Sequence, residues 1–347
     1  MKKFPFFIAV ILFFQLLPGS CSGQKSDTRN SLKIVFYNCE NLFDTIDDKK
    51  NKGDNEFLPE NKLGWDSERY YTKIKNISHV IYSIDSVNLP ALVGLGEVEN
   101  KNVLNDIVKS AYLKKADYKI VHYESSDDRG IDVALLYNPS FIKVIYSRKV
   151  NVFDEGKKLR EILYAQVLAF KSDTLNVFVN HWKSRSGGTD ETEFKRILYA
   201  SALRKVVDSL FSKDASPKII IMGDFNDEPN NKSVSEALKA YPPDKFIGEK
   251  TLYNLFYPAF LNNQGSHYYS GSEWSMLDQI IVSGDLLFSD KKTLHFKNGS
   301  AEIFKRNWML YRNKKGEMLP SRTYKNSEYF GGCSDHLPVI IRLKYAD

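Results

Sequence analysis

The sequence predicts an α/β fold, carried by one domain over about residues 32–347. Three observations predict it. Short β-branched or aromatic runs recur from Leu32 to Leu343, segments with apolar residues at helical spacing lie between them, and no linker divides the interval. Hydrophobic residues make up 42% and aromatic residues 13% of the chain, enough for a sizeable core and against disorder over most of the length.

The N-terminus stands apart from this pattern. Lys2 and Lys3 precede the apolar run Phe4–Leu17, broken only by Pro5 and Gln15, and the small residues Gly19 and Ser20 then lead to Cys21. A basic start, an apolar stretch and a small-residue junction mark residues 1–20 as a secretory signal peptide. The run is shorter than the roughly 20 apolar residues a membrane-spanning helix needs. Leu17-Pro18-Gly19-Ser20-Cys21 also resembles a lipobox, which implies lipidation of Cys21 and a membrane anchor; plain cleavage and release is the alternative. The chain is therefore expected outside the cytoplasm, as a lipoprotein or as a periplasmic or extracellular protein. Residues 21–31 are mostly small or polar and read as a flexible tether.

Strands are expected at Leu32–Asn38, Ala91–Glu97, Asp132–Asn138, Ile162–Phe170, Leu175–His181, Lys218–Asp224, Leu277–Ser283 and Leu337–Leu343. Several are continuously apolar, as strands covered on both faces are. Tyr70, Ile74, Ile77, Ile81 and Ile84 form one helical stripe; Phe194, Ile197, Leu198, Ala202, Val206 and Leu210 form a second, beginning near Glu191; Val103, Leu104, Ile107 and Val108 suggest a third. Residues 284–330 lack a period and are expected to be loops and short elements.

Charge says little about partners. Lys2 and Lys3 leave with the leader, so the rest of the 49 Lys and Arg residues only slightly outnumber 43 Asp and Glu. Such an excess does not announce a nucleic-acid binder unless it is concentrated in a patch. Cys39 and Cys333 are too few for a disulfide framework; they read as buried thiols, with a pairing outside the cell as the alternative.

Chemistry-bearing residues gather at strand ends, where a sheet offers its loops to a ligand. Asn38 ends the first strand with Glu40 just beyond it, and Glu97 ends Ala-Leu-Val-Gly-Leu-Gly-Glu. Asn180-His181 ends Leu-Asn-Val-Phe-Val, Gly223-Asp224-Phe225-Asn226 ends Lys-Ile-Ile-Ile-Met, and Ser334-Asp335-His336-Leu337-Pro338 opens the last strand. Asp278 lies inside Leu277–Val282, an awkward place for an unpaired carboxylate. Each motif alone has an ordinary explanation as a turn, a cap or a surface pair; their joint order is the specific signal.

That order, from Asn38 to Pro338, resembles the endonuclease/exonuclease/phosphatase superfamily, with Gly223–Asn226 and Ser334–Pro338 its most specific pieces. The resemblance implies a four-layer αββα sandwich of two mixed sheets flanked by helices. It implies a divalent cation, Mg²⁺ or Mn²⁺, held by Glu97 and Asn38, with Asp335 and Glu40 as further ligands; hard oxygen donors suit those ions. It implies His336 as the base that activates water, with Asp278 fixing its tautomer, and His181 as a second histidine with Asp132 as its acidic partner. Asp224 and Asn226 would position water and phosphoryl oxygens, and Arg129, Lys183 and Arg185 would hold flanking phosphates.

The expected reaction is metal-dependent phosphodiester hydrolysis, with DNA or RNA as the first-choice substrate. A lipid or sugar phosphate is the alternative, and a non-catalytic binding lipoprotein a third reading. Asn180-His181-Trp182 departs from the abasic-site repair enzymes of the superfamily, which disfavours that activity. No aromatic wedge for lipid or for base flipping stands out, and nothing implies a protein partner.

Overall fold

A computed structural model describes residue 1 and residues 31–49, 53–269, 273–288 and 293–345. The expected signal peptide beyond Met1, the tether as far as Asn30, and Cys21 lie outside the described residues. Among the described residues, no helix is long and apolar enough to cross a membrane.

In chain order the first strands are β1 (Ser31–Leu42), β2 (Leu92–Val98), β3 (Lys119–His122) and β4 (Asp132–Tyr137). Next come β5 (Ile142–Asp154), β6 (Lys157–Ala169), β7 (Asp173–His181), β8 (Lys218–Asp224), β9 (Ala240–Tyr241) and β10 (Leu252–Asn254). The C-terminal part adds β11 (His267–Tyr268), β12 (Trp274–Ser275), β13 (Asp278–Ser283), β14 (Leu294–Phe296) and β15 (Glu302–Ile303). It ends with β16 (Leu310–Arg312), β17 (Met318–Pro320), β18 (Tyr324–Lys325), β19 (Glu328–Tyr329) and β20 (Val339–Tyr345). The longer helices are α1 (Ser67–Ile84), α2 (Lys101–Lys109) and α3 (Thr189–Lys213).

One mixed sheet runs β14-β20-β1-β2-β4-β3, with β15 also on β20; the other runs β5-β6-β7-β8-β13-β10-β9. Alternation along β1 shows how they stack. Ile34 and Phe36 face Val177, Ile220 and Met222 of the second sheet, while Val35 and Tyr37 face Ile74, Ile77 and Ile81 of α1 and Leu104 and Ile107 of α2. On the far side α3 covers the second sheet, with Tyr199, Leu203, Val207 and Phe211 against Phe178, Ile219 and Ile221. Each fully buried side chain of this kind contributes roughly 1.5–3 kcal/mol. The result is the expected four-layer αββα sandwich.

The α1 stripe is buried as expected, and Asp66 caps its first turn by accepting from the Arg69 amide. The face of α3 is displaced from the expected one. Its buried residues are Thr192, Arg196, Tyr199, Ala200, Leu203, Val207 and Phe211, whereas Phe194 is 50% exposed. The displacement follows from Arg196, whose polar head is buried because Asp227 lies 2.7 Å from its Nε. An apolar-only period cannot register a buried ion pair. Strand β5 also escaped the sequence pattern, because it is an edge strand with most of its side chains exposed or half-exposed.

Gly223 shows how closely β7 and β8 approach beneath the site. A Cβ there would lie 2.4 Å from the Asn180 carbonyl oxygen and 2.6 Å from the Asn180 Cβ. Gly223→Ala should therefore force the two strands apart and destabilise the protein by about 1–3 kcal/mol. Urea or guanidinium denaturation reads this directly, and an unchanged midpoint and slope would contradict the packing described.

Candidate active site

The two sheets bring their polar strand ends to one edge of the sandwich. In the second sheet, His181 pairs in register with Asp224 across β7 and β8, and Asp224 with Asp278 across β8 and β13. Three neighbouring strands thus place one histidine and two carboxylates in a row.

The first sheet adds Asn38 and Glu97. Asn38 sits opposite Gly96 on β1 and β2, and the register slips on both sides of β2 at this point, between Asn38 and Leu42 and between Gly96 and Val98. Glu97 occupies that irregularity with φ 57°. A bulge re-aims the side chain it carries. Here it turns the carboxylate so that Oε2 accepts from the Asn41 amide at 2.8 Å and Oε1 from Asn38 Nδ2 at 3.3 Å. Asn38 Nδ2 also reaches Asp224 Oδ2 at 3.0 Å. Glu40, Asn41 and Asn226 share the left-handed backbone with φ 52°, 49° and 49°. Non-glycine residues held there cost about 1–3 kcal/mol each, and such strain concentrates at functional sites.

The loop into β20 closes the site. Ser334 Oγ donates to the Asn38 carbonyl at 2.8 Å and fixes the loop on β1. His336 Nδ1 then lies 2.6 Å from Asp278 Oδ2, which leaves its Nε2 pointing at Asp224 Oδ2, 3.9 Å away, and at Asp335 Oδ1, 4.0 Å away. His181 Nε2 shares Asp224 Oδ2 with it, at 3.7 Å, and lies 3.6 Å from Glu97 Oε1. Asn226 braces the floor, its amide donating to Asp224 Oδ1 at 2.9 Å and its Nδ2 to the Trp182 carbonyl at 3.1 Å.

Several expected residues sit elsewhere. Asp132 is not the partner of His181: it holds His122 Nε2 at 2.7 Å and accepts from the Ser125 amide, because β3 lies beside β4 and places His122 next to it. His181 Nδ1 is buried without a partner among the described residues. Glu40 does not join Asn38 and Glu97. The left-handed turn at Glu40 and Asn41 sends its carboxylate to the Thr323 amide at 2.7 Å and to the buried Lys73 ammonium at 3.6 Å. Asp335 stays at the rim, 3.8 Å from His267 Nε2 and 3.7 Å from Arg322 Nη2. Arg185 turns away from any ligand space; its Nε donates to the Asn226 carbonyl at 2.8 Å and its Nη2 to Asn231 at 3.2 Å. Arg129 and Lys183 do face open space, in a cavity of about 290 Å³ also lined by Lys157, Lys158, Arg160 and Lys195. Cys39 and Cys333 are both free, buried thiols.

Two residues at the site escaped the sequence analysis. His267 stacks at 4.6 Å, tilted 42°, on the His336 ring and is joined to it by a backbone bridge. One of only six histidines, flanked by Ser266 and two tyrosines just ahead of the Asp278 strand, it offered that position as its signal. Arg160 donates from Nη1 to the His181 carbonyl at 2.9 Å and from Nη2 to Asp127 at 2.7 Å; within the charged run Lys157-Lys158-Leu159-Arg160-Glu161 it gave no signal of its own.

Burial and charge set the protonation pattern. Burial pushes the Asp224 carboxyl up to about 7; Asp278 and Glu97 reinforce that rise, and His336 opposes it. Burial disfavours a charged His336, but Asp278, Asp224 and Asp335 outweigh it and hold the imidazole well above its usual range. Burial and the Arg160 and Arg129 guanidinium groups hold His181 well below that range. His267, His336 and Arg322 keep Asp335 ionised against the effect of burial.

The donors fit a divalent cation. Donor atoms of Asp224, Asp278 and His336 lie within 4.8 Å of one another, as do those of His267, Asp335 and His336. Glu97 adds hard oxygens beside Asp224, whereas Asn38, expected as a ligand, turns its Nδ2 to both carboxylates while its Oδ1 accepts from the Glu40 amide at 2.9 Å. A carboxyl raised towards neutrality by burial and, beyond it, by its carboxylate neighbours is a group that a cation would stabilise.

The comparisons agree with this fold. The sequence profile described as the Endonuclease/Exonuclease/phosphatase family matches residues 33–345. No curated protein matches the chain. An endonuclease/exonuclease/phosphatase family protein from Bacteroides thetaiotaomicron is 15% identical, with a TM-score of 0.57, over 91% of this chain and 96% of that one. A mannosyl-6-phosphatase of the same organism is 15% identical with a TM-score of 0.57, over 90% of this chain and 100% of its own. The human Nocturnin catalytic domain, solved with bound sulfate anion, is 15% identical with a TM-score of 0.52, over 91% and 94%. At such identities the likeness shows the fold alone.

Proposed function

The chain belongs to the endonuclease/exonuclease/phosphatase family, and from that premise we propose that it is a divalent-metal-dependent phosphodiester hydrolase acting on nucleic acid outside the cytoplasm. The observation that carries the reading is the convergence of His181, Asp224 and Asp278 from one sheet with Asn38 and Glu97 from the other, closed by His336 at 2.6 Å from Asp278.

Glu97 and Asp224 would hold Mg²⁺ or Mn²⁺, with Asn38 bracing both carboxylates through its Nδ2 and Asp335 at the rim. When bound, such a cation neutralises phosphoryl charge and lowers the pKa of water. The protein's own groups divide the remaining work. Asp278 holds Nδ1 of His336 and thereby presents Nε2, which takes the proton of the attacking water from the neutral imidazole; the neighbouring carboxylates that favour the charged form are those whose charge a bound cation would offset. His181 is kept neutral, so its Nε2–H can donate a hydrogen bond to a phosphoryl oxygen. The Asn226 amide and side chain fix Asp224 and the Trp182 backbone, keeping the floor rigid.

A polyanionic substrate is supported by the cavity beside His181. Lys183 has no ion pair among the described residues, and burial, with Arg129 and Lys195 beside it, lowers its pKa. Arg129 and Lys183 would hold a phosphate flanking the scissile one. The leader and the lipobox-like residues before Cys21 support export and a lipid anchor. The Bacteroides mannosyl-6-phosphatase among similar structures keeps a sugar phosphate as the alternative substrate.

The test is direct. The purified protein should hydrolyse bis(4-nitrophenyl) phosphate and degrade plasmid DNA or RNA with Mg²⁺ or Mn²⁺, and lose both activities in EDTA. Mannose 6-phosphate and sphingomyelin serve as competing substrates. Hydrolysis that persists after exhaustive chelation would sink the metal role, and exclusive turnover of a monoester would replace the diesterase reading.

A further inference from the structure

A second cavity opens on the opposite flank of the site, at the Asp335 rim, with a volume of about 730 Å³. It lies within the roughly 300–1,000 Å³ of ordinary ligand sites. The β16–β17 hairpin, the β18–β19 hairpin and the end of β11 build it. Its charge is one-sided: Arg312, Lys314, Lys315, Arg322 and Lys325 stand against Glu317 and Asp335. The side chains of Lys314, Lys315 and Lys325 have no ion pair among the described residues. This concentrated basic patch is invisible in the small net charge of the chain.

Its walls also carry aromatic rings. Tyr268 is fixed by the edge of Trp274 at 5.6 Å and by a hydrogen bond from its hydroxyl to Glu317 at 3.4 Å. Tyr311 and Phe330 keep 39% and 53% of their surface exposed. Phe330 and Asp335 lie on the same connection into β20, so a group resting on that ring is led to the catalytic rim. Part-exposed rings among unpaired lysines, lining one cavity, make a stacking platform with an electrostatic track. A lipid surface would instead need rings that project from a convex face.

We propose that this groove binds a single-stranded nucleic-acid segment next to the scissile phosphate, stacking bases on Tyr311 and Phe330 and meeting backbone phosphates with Lys314, Lys315 and Lys325. The inference rests on the phosphodiesterase reading and names its substrate form: bases must be unstacked to reach the rings, so single strands or frayed ends are favoured over intact duplex.

The experiment uses a fluorescein-labelled oligothymidylate, its duplex with oligodeoxyadenylate, and phosphatidylglycerol vesicles, with binding measured without divalent metal in EDTA. Tyr311→Ala/Phe330→Ala should weaken single-strand binding about tenfold or more and leave kcat/KM for bis(4-nitrophenyl) phosphate within about twofold. Lys314→Ala/Lys315→Ala should flatten the dependence of log Kd on log salt by about 0.7 per lysine that meets a phosphate. Wild-type affinity for the single strand in the aromatic variant would overturn the groove, as would equal dependence of duplex and single strand on the ring pair. Loss of vesicle binding with oligonucleotide binding intact would make the patch a membrane surface and overturn it as well. The two readings fail separately. Turnover of bis(4-nitrophenyl) phosphate without oligonucleotide binding removes the groove alone, and ring-dependent binding without any turnover removes the hydrolase alone.

Discussion

Glu97→Gln is expected to lower kcat for any phosphodiester by about 10²-fold or more and to weaken Mg²⁺ binding in parallel. The estimate takes the several kcal/mol that a correctly held cation contributes to transition-state charge stabilisation, at about 1.36 kcal/mol per tenfold in rate. The substitution is nearly isosteric but not neutral in its contacts. Glu97 accepts from the Asn41 amide at 2.8 Å through one oxygen, and faces Asn38 Nδ2 at 3.3 Å through the other. A carboxamide must turn its NH₂ towards one of these donors, so local hydrogen bonding weakens as the charge disappears. Glu97→Asp separates the two effects by keeping the charge and shortening the reach. Titration calorimetry with Mg²⁺ alone reads the metal affinity without substrate. Retention of wild-type Mg²⁺ affinity and turnover in Glu97→Gln would show that this carboxylate does not hold the cation.

What the sequence disclosed about the site, and what it hid, follows from chain separation. His181, Asp224 and Asp278 were legible because each ends or begins an apolar strand, and adjacent strands bring those ends level. Glu97 was legible as a strand end, but the bulge that aims it depends on register against both β1 and β4. Asp132 was assigned to the wrong histidine because its partner is set by β3, four residues long and too short to leave a pattern. Glu40 looked like a ligand because it follows Asn38 closely; its left-handed backbone and the buried Lys73 decide otherwise. Arg185 is expected from its place beside His181 to hold a flanking phosphate, whereas the loop after β8 folds back to claim its guanidinium. The basic and aromatic groove was missed altogether. Its residues come from an aperiodic stretch, and only the two hairpins gather them on one wall.

The His336–Asp278 pair gives the second large effect, and activity and stability are expected to depart from additivity in different ways. His336→Ala should lower kcat by about 10²- to 10⁴-fold, the usual range for a positioned base. Asp278→Asn should also be severe, since Asp278 acts only by holding Nδ1 and directing Nε2 at the site. If the two form one unit, the double variant loses little beyond the worse single, as acting units are not additive. Folding should respond differently. Asp278 is fully buried, and its Oδ1 has no partner among the described residues, so His336→Ala leaves a buried carboxylate without its counter-charge. Breaking such a pair from one side typically costs about 3–5 kcal/mol, whereas removing both charges costs less. The double variant should therefore be more stable than His336→Ala while no more active. The measurements are kcat with bis(4-nitrophenyl) phosphate and denaturant unfolding of all four proteins. Multiplicative losses in kcat would show that Asp278 and His336 act independently, and equal stability of His336→Ala and the double variant would show that Asp278 is not left as an uncompensated charge.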